Sequence, residues 1–162
     1  MGVWAMNLID NRENDVNTPK KFRLCKNMGI LAIGWAKENP LESFTGRDLS
    51  GYKAAVKGLS SIESEDLVWV RDTVNKEYYI CKVLGALEKA PINLWAKDIG
   101  QYRKAEWYGP VPQNELPDPI TVQRLVSRPT IRRVLKPDVI KATQDFFDST
   151  LIHKKVIREV AK

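Results

Sequence analysis

The stretch "EDLVWVRDTVNKEYYICKVLG" (residues 65–85) decides how this chain is read. Leu67, Trp69 and Arg71 fall on one side of a two-residue period, and Val68 and Val70 on the other. That alternation, apolar on both sides, is a strand with material against each face. "TVNK" supplies turn residues, and "EYYICKVLG" returns with aromatic and β-branched side chains, so a hairpin is expected.

Upstream, "VWAMNLI" (residues 3–9) has strand composition, and the Asn/Asp-rich "DNRENDVN" after it reads as a loop. "TPKKFRLCKNMG" is punctuated as a short helix: Thr18 as N-cap, Pro19 at the first helical position, Gly29 at the stop. "ILAIGW" follows as a strand buried on both sides. It ends at Trp35, and "AKENP" beyond it is polar and stops at a proline. In "GRDLSGYKAAVKGLSSI", Leu49, Tyr52, Val56 and Leu59 repeat at helical spacing, despite Gly51.

Downstream, "ALEKAPINLWAKDIGQ" reads as a strand and then a loop around Trp95. "YRKAEWYGPVP" is a further strand closed by Pro110 and Pro112, "NELP" one helical turn, and "RPTIRRVL" a short strand or extended link. From Pro137 to the end, Val139, Ile140, Ala142, Phe146 and Phe147 predict a helix, with residues 148–162 as its basic tail. Short strands, mostly consecutive after residue 65, argue for an α+β fold: a small mixed β-barrel flanked by helices, in one domain spanning residues 1–162.

Chemistry is narrowed by what the chain has to offer. Cys25 and Cys81 form no CxxC pair and His153 is the lone histidine, which cannot build a Cys/His zinc site or a Cys–His or Ser–His–Asp apparatus. Both cysteines sit in apolar-periodic segments and are expected as buried thiols. The HxE and PCxxC of a zinc deaminase and the ExK of a restriction-type nuclease are missing. Acids such as Glu63, Glu65 and Asp66 read as the solvated start of a strand. The expectation is a binding module, with no enzyme activity, metal or cofactor.

No run of apolar residues is long enough for a membrane span, and the N-terminus lacks the pattern of a signal peptide or a myristoylation site, so a cytoplasmic location without a membrane partner is expected. Charge points to the partner. Of the net +6, the whole excess lies in the last quarter, where Arg124, Arg128, Arg132, Arg133, Lys136, Lys141 and four further basic residues face only four acids. A one-ended basic surface suits a polyanion.

At these residues a family resemblance enters. "VWAMNLI…KKFRLCKNMGILAIGW", the hairpin at 65–85, and "LWAKDIGQYRKAEWYGPVPQNELP" followed by "SRPTIRRVLKPDVIKATQDFF" together resemble the PUA-like superfamily of small barrels, which includes the YTH, EVE and ASCH domains. The likeness covers about residues 3–147 and fits the EVE-like modules of bacterial restriction systems as well as YTH readers. It implies a module that binds nucleic acid, DNA or RNA, and takes one base, often modified, into an aromatic pocket, with an effector nuclease on the same or another chain as a possible partner. Trp35 matches the tryptophan ending the second strand of YTH readers, and Trp95 falls near the one on their later loop. The ASCH-like alternative is a small-ligand or protein-binding module without base recognition.

In such a pocket, leaving the stack costs a few kcal/mol, and stacking on an indole returns about 1–3 kcal/mol per face. A methyl on N6-methyladenine or on a methylcytosine-like base adds about 0.8 kcal/mol once its surface leaves water. A polar group must read the Watson–Crick edge; Asn7, Asp10 and Asn11, past the first strand, are the candidates, Asn7 first. Arg71, Arg128, Arg132, Arg133 and Lys136 are expected to hold phosphates. Trp4, Trp69 and Trp107 lie inside apolar alternation and are expected in the core.

Overall fold

Hydrogen bonding closes the hairpin as its alternation requires. β3 (Leu67–Asp72) and β4 (Glu77–Val83) run antiparallel with Leu67 opposite Lys82 and Asp72 opposite Glu77. A computed structural model of the chain describes residues 1–8, 20–126 and 131–157. Around the hairpin, β1 (Val3–Ala5) lies parallel to β3, and β6 (Gln101–Pro112) antiparallel to β4. The near half of β6 also pairs with β2 (Ile30–Ile33) and with the short β5 (Glu88–Lys89). β7 (Arg132–Arg133) joins the far side of β1. The result is one curled, seven-stranded half-barrel of order β2-β6-β4-β3-β1-β7, with β5 beside β6, in a mixed α+β fold.

The two faces of the hairpin fill two cores. Val68, Val70, Tyr79, Cys81 and Val83 point inward, where α1 (Lys20–Met28) adds Phe22 and Cys25, and α3 (Gly46–Ser61) adds Leu59. Phe22 meets Trp107 and Tyr79 at centroid distances of 5.3 and 5.7 Å, within the range where tilted rings attract. Leu67, Trp69, Tyr78 and Ile80 point outward under α4 (Pro119–Val126) and α5 (Pro137–Ser149). There the Trp69 indole N–H donates to Thr143 Oγ1 at 3.2 Å. Trp4, Trp69 and Trp107 are buried and both cysteines are buried free thiols, as expected.

Gly29 ends α1 with φ of 69°, a left-handed stop that glycine adopts without strain. α2 (Pro40–Ser43) and α4 are helices for which the sequence pattern made no provision. The start of α4 is nevertheless written locally: Asp118 accepts from the Thr121 amide at 3.1 Å and hydroxyl at 2.9 Å, ahead of a proline at the first position.

Over residues 150–157 the tail departs from the expected basic helix, and residues 158–162 lie outside the described residues. α5 stops at Ser149, a 3-10 turn covers Leu151–His153, and the chain then extends. Leu151 is fully buried in the outer core, worth about 1.5–3 kcal/mol, more than one further helical turn of polar residues offers. Lys154 and Val156 then bond along β6: Gly109 N–H to Lys154 O at 3.0 Å, and Val156 N–H to Trp107 O at 2.7 Å. Lys155 pairs with Glu106, which raises the lysine's pKa.

Candidate functional site

β2 is tied to β6 down to Ile33, opposite Gln101, and the Ile33 carbonyl accepts from Gly100 N–H at 2.8 Å. Beyond it the backbone turns sharply. Trp35 has φ of 54°, in the left-handed region, where a side chain costs about 1–2 kcal/mol. The half-buried ring leans on α3 at Gly51, where a Cβ would approach Trp35 Cζ2 to 3.0 Å. The strained turn thus turns the indole out of the strand's line and onto a helix.

Trp95 arrives from the next connection. It lies in a 3-10 turn, Ile92–Lys97, is half-buried, and donates its indole N–H to Ala90 O at 3.2 Å. The turn ends at Asp98, left-handed with φ of 60°, whose amide donates to Leu94 O and Trp95 O. The two connections touch. A Cβ on Gly100 would stand 2.6 Å from Gly34 O, and one on Gly34 would fall inside the Asp98 carboxylate. Trp35 and Trp95 therefore sit on adjoining connections at one end of the β2–β6 ladder, although 60 residues separate them in sequence.

Polar groups gather at this end. Lys21 Nζ meets Asp98 Oδ2 at 3.0 Å, with only 5% and 13% of the two side chains exposed. Gln101 donates from its amide to Tyr52 Oη at 3.0 Å, and the Tyr52 ring lies 6.0 Å from that of Phe44. Sequence reading gave no site role to Lys21, Asp98, Tyr52 or Gln101. Lys21 looks like one of several solvated basic residues on α1, and its partner is 77 positions away. The one local sign was an acid just before Ile-Gly, a place suited to a left-handed cap.

α3 links this end to the basic strand. Its C-terminal end is fixed by the buried Arg103, which donates to the carbonyls of Gly85 at 2.6 Å, Leu59 at 3.0 Å, and Ile62. Burial lowers the Arg103 pKa, with Asp66 opposing the effect. Gly58, seven residues after Gly51, receives Ile131, whose Cβ would lie 3.1 Å from an added methyl. Seven residues of helix span about 10 Å, so Arg132 and Arg133, next to Ile131, lie a short distance along α3 from Trp35.

The remaining expected residues are spread more widely. Arg132 and Arg133 pair with Ala5 and Trp4 across β1–β7, and the Arg133 guanidinium stands 5.8 Å from the Trp4 ring. Lys136 is exposed just before α5. Asn7 is half-buried past β1, which β3, β4 and β6 separate from β2 along the sheet, so strand pairing alone does not carry it to the indoles. Arg71 faces outward with Leu67 and Trp69, on the opposite side of the sheet from the core that Trp35 packs against. Asp10, Asn11 and Arg128 lie outside the described residues.

Comparison with family models, curated proteins and solved structures gave no match to this chain. Among the described residues no helix is long and apolar enough to cross a membrane, and no group of three or more His, Cys, Asp or Glu is placed to hold a metal ion.

Proposed function

We propose that this chain is a PUA-like, EVE/YTH-like module that binds nucleic acid and takes a flipped base, N6-methyladenine or methylcytosine-like, between Trp35 and Trp95. The observation that carries the reading is the left-handed backbone of Trp35 beside the Trp95 turn. Strain of this kind persists where surrounding structure holds it, and it concentrates at ligand sites. Two half-exposed indoles on touching connections suit a base more than they suit a core, whose tryptophans here are the buried Trp4, Trp69 and Trp107.

Stacking supplies affinity without sequence preference, so a polar group must read the base edge. Gln101 suits that role by place better than Asn7: it lies opposite Ile33 at the same end, and its amide, which already donates to Tyr52, keeps an acceptor and a second N–H. Arg132, Arg133 and Lys136 hold the backbone beyond α3. The reading includes no catalytic step; the module delivers recognition, in a cytoplasmic setting, to an effector nuclease on the same or another chain.

The test is a titration with methylated and unmethylated oligonucleotides, as single strand and duplex, at two salt concentrations. Binding should favour the methylated base, weaken with salt, and fall about tenfold or more in Trp35→Ala, the loss of one stacked face. Salt-sensitive binding indifferent to methylation and to Trp35→Ala would reduce the molecule to a general nucleic-acid module. No binding at low salt would turn the reading toward a small ligand of ASCH type.

A further inference from the structure

Two buried side-chain polar atoms lack a partner among the described residues, Arg71 Nε and Tyr78 Oη, and they are neighbours. Arg71 and Tyr78 stand directly opposite across the β3–β4 ladder, on the outer face, with the guanidinium carbon 5.7 Å from the ring centroid. Tyr78 is fully buried. The adjoining acid is committed elsewhere: Asp72 accepts from the amides of Val74 and Asn75 at 3.0 and 3.2 Å and from Asn75 Nδ2 at 2.9 Å. No carboxylate pairs with Arg71 among the described residues.

A native fold leaves few buried donors unmade, and each costs about 1–3 kcal/mol. Here two lie side by side, one on a half-buried cation that no carboxylate among the described residues pairs with. Burial raises the Tyr78 pKa, against the lowering effect of Arg71, so the phenol keeps its proton at neutral pH and remains a donor. A cation's Nε–H and a hydroxyl donor, both lacking an acceptor among the described residues, match an oxyanion. The covering helices α4 and α5 belong to the quarter of the chain that carries the whole positive excess, a field that concentrates phosphate near this face.

We propose that Arg71 and Tyr78 form a phosphate-binding subsite on the outer face of the sheet, separate from the indole pair. The guanidinium swings toward the incoming group, exposes its Nε edge, and the phosphate oxygens accept from Arg71 and from the Tyr78 hydroxyl. The phosphate comes from free anion or from a nucleic-acid backbone; the chemistry is the same and the experiment separates the two.

The full chain is titrated with inorganic phosphate against chloride at matched ionic strength, following thermal unfolding and the arginine Nε–H resonance. Phosphate should raise the unfolding temperature and shift the Arg71 signal. Tyr78→Phe should lose about tenfold in phosphate affinity, one charge-assisted hydrogen bond. Without phosphate it should be as stable as wild type or more so, because an unmade donor has been removed. Arg71→Lys, which keeps the charge but not the Nε edge, should also bind weakly. Trp35→Ala should leave the phosphate response intact, which separates this site from the base-binding reading. Oligonucleotide affinity lost along with phosphate affinity in the Arg71 and Tyr78 variants assigns the site to the nucleic-acid backbone; oligonucleotide affinity retained assigns it to the free anion. An equal response to phosphate and chloride, or an undiminished phosphate response in both variants, overturns the proposal.

Discussion

Adding a methyl group to Gly34 would place it inside the Asp98 carboxylate, so Gly34→Ala must push Asp98 off Lys21. Two nearly buried charges would then lose each other, and breaking such a pair costs about 3 kcal/mol. Urea unfolding checks this: an unfolding free energy lowered by that amount is expected, and an unchanged one would mean that the carboxylate moves aside freely. At this scale the sequence was partly legible. Trp4, Trp69 and Trp107 could be placed in the core because a two-residue period states which side chains lie between apolar neighbours. Trp35 stood out because it ends an apolar run. Its left-handed φ was not legible, since nothing local distinguishes it from an extended residue. Lys21 and Asp98 were illegible for another reason: an ion pair between distant positions exists only once the sheet has brought their elements together.

α3 is held unevenly. Its C-terminal half has the buried Leu59 and the Arg103 bonds to carbonyls, while no residue of its first half is buried and Gly51 packs against the Trp35 ring. Amide exchange should therefore be faster at residues 50–54 than at 58–61, by local opening without global unfolding. Equal protection along the helix would refute this. Gly51→Ala sets about 1 kcal/mol of helix propensity against displacement of the Trp35 ring; base binding should weaken in that variant even if stability does not. Elements with a clear period, α3 and the hairpin, could be read from the chain. α4 could not, because eight residues give barely two turns of pattern. The end of α5 is not legible because helical spacing continues in the sequence past Ser149, where the pull of Leu151 into the core takes over.

For the whole molecule, the curled sheet with a core on each face places several ionisable groups in apolar surroundings. Tyr79 is pushed up to about 12, first by burial and then by Glu77, Asp72 and Cys81. Its proton is held more tightly in the folded chain than in the unfolded one, whose value is near 10.0. The associated stability is complete below pH 10 and is lost as pH rises toward about 12. Chemical unfolding across this window should show a decline that is smaller in Tyr79→Phe. A decline of the same size in that variant would assign it to other buried groups, Tyr78 and Cys81 first, whose pKa values burial also raises. The strap at residues 154–156 has a consequence for how one copy meets another. Without it, the Trp107 carbonyl and the Gly109 amide would face outward on β6 as a docking row for a foreign strand. Removing the chain beyond His153, which keeps the buried Leu151, should therefore produce concentration-dependent larger species in sedimentation, while the full chain, whose residues 154–156 occupy that row, resists stacking into fibres.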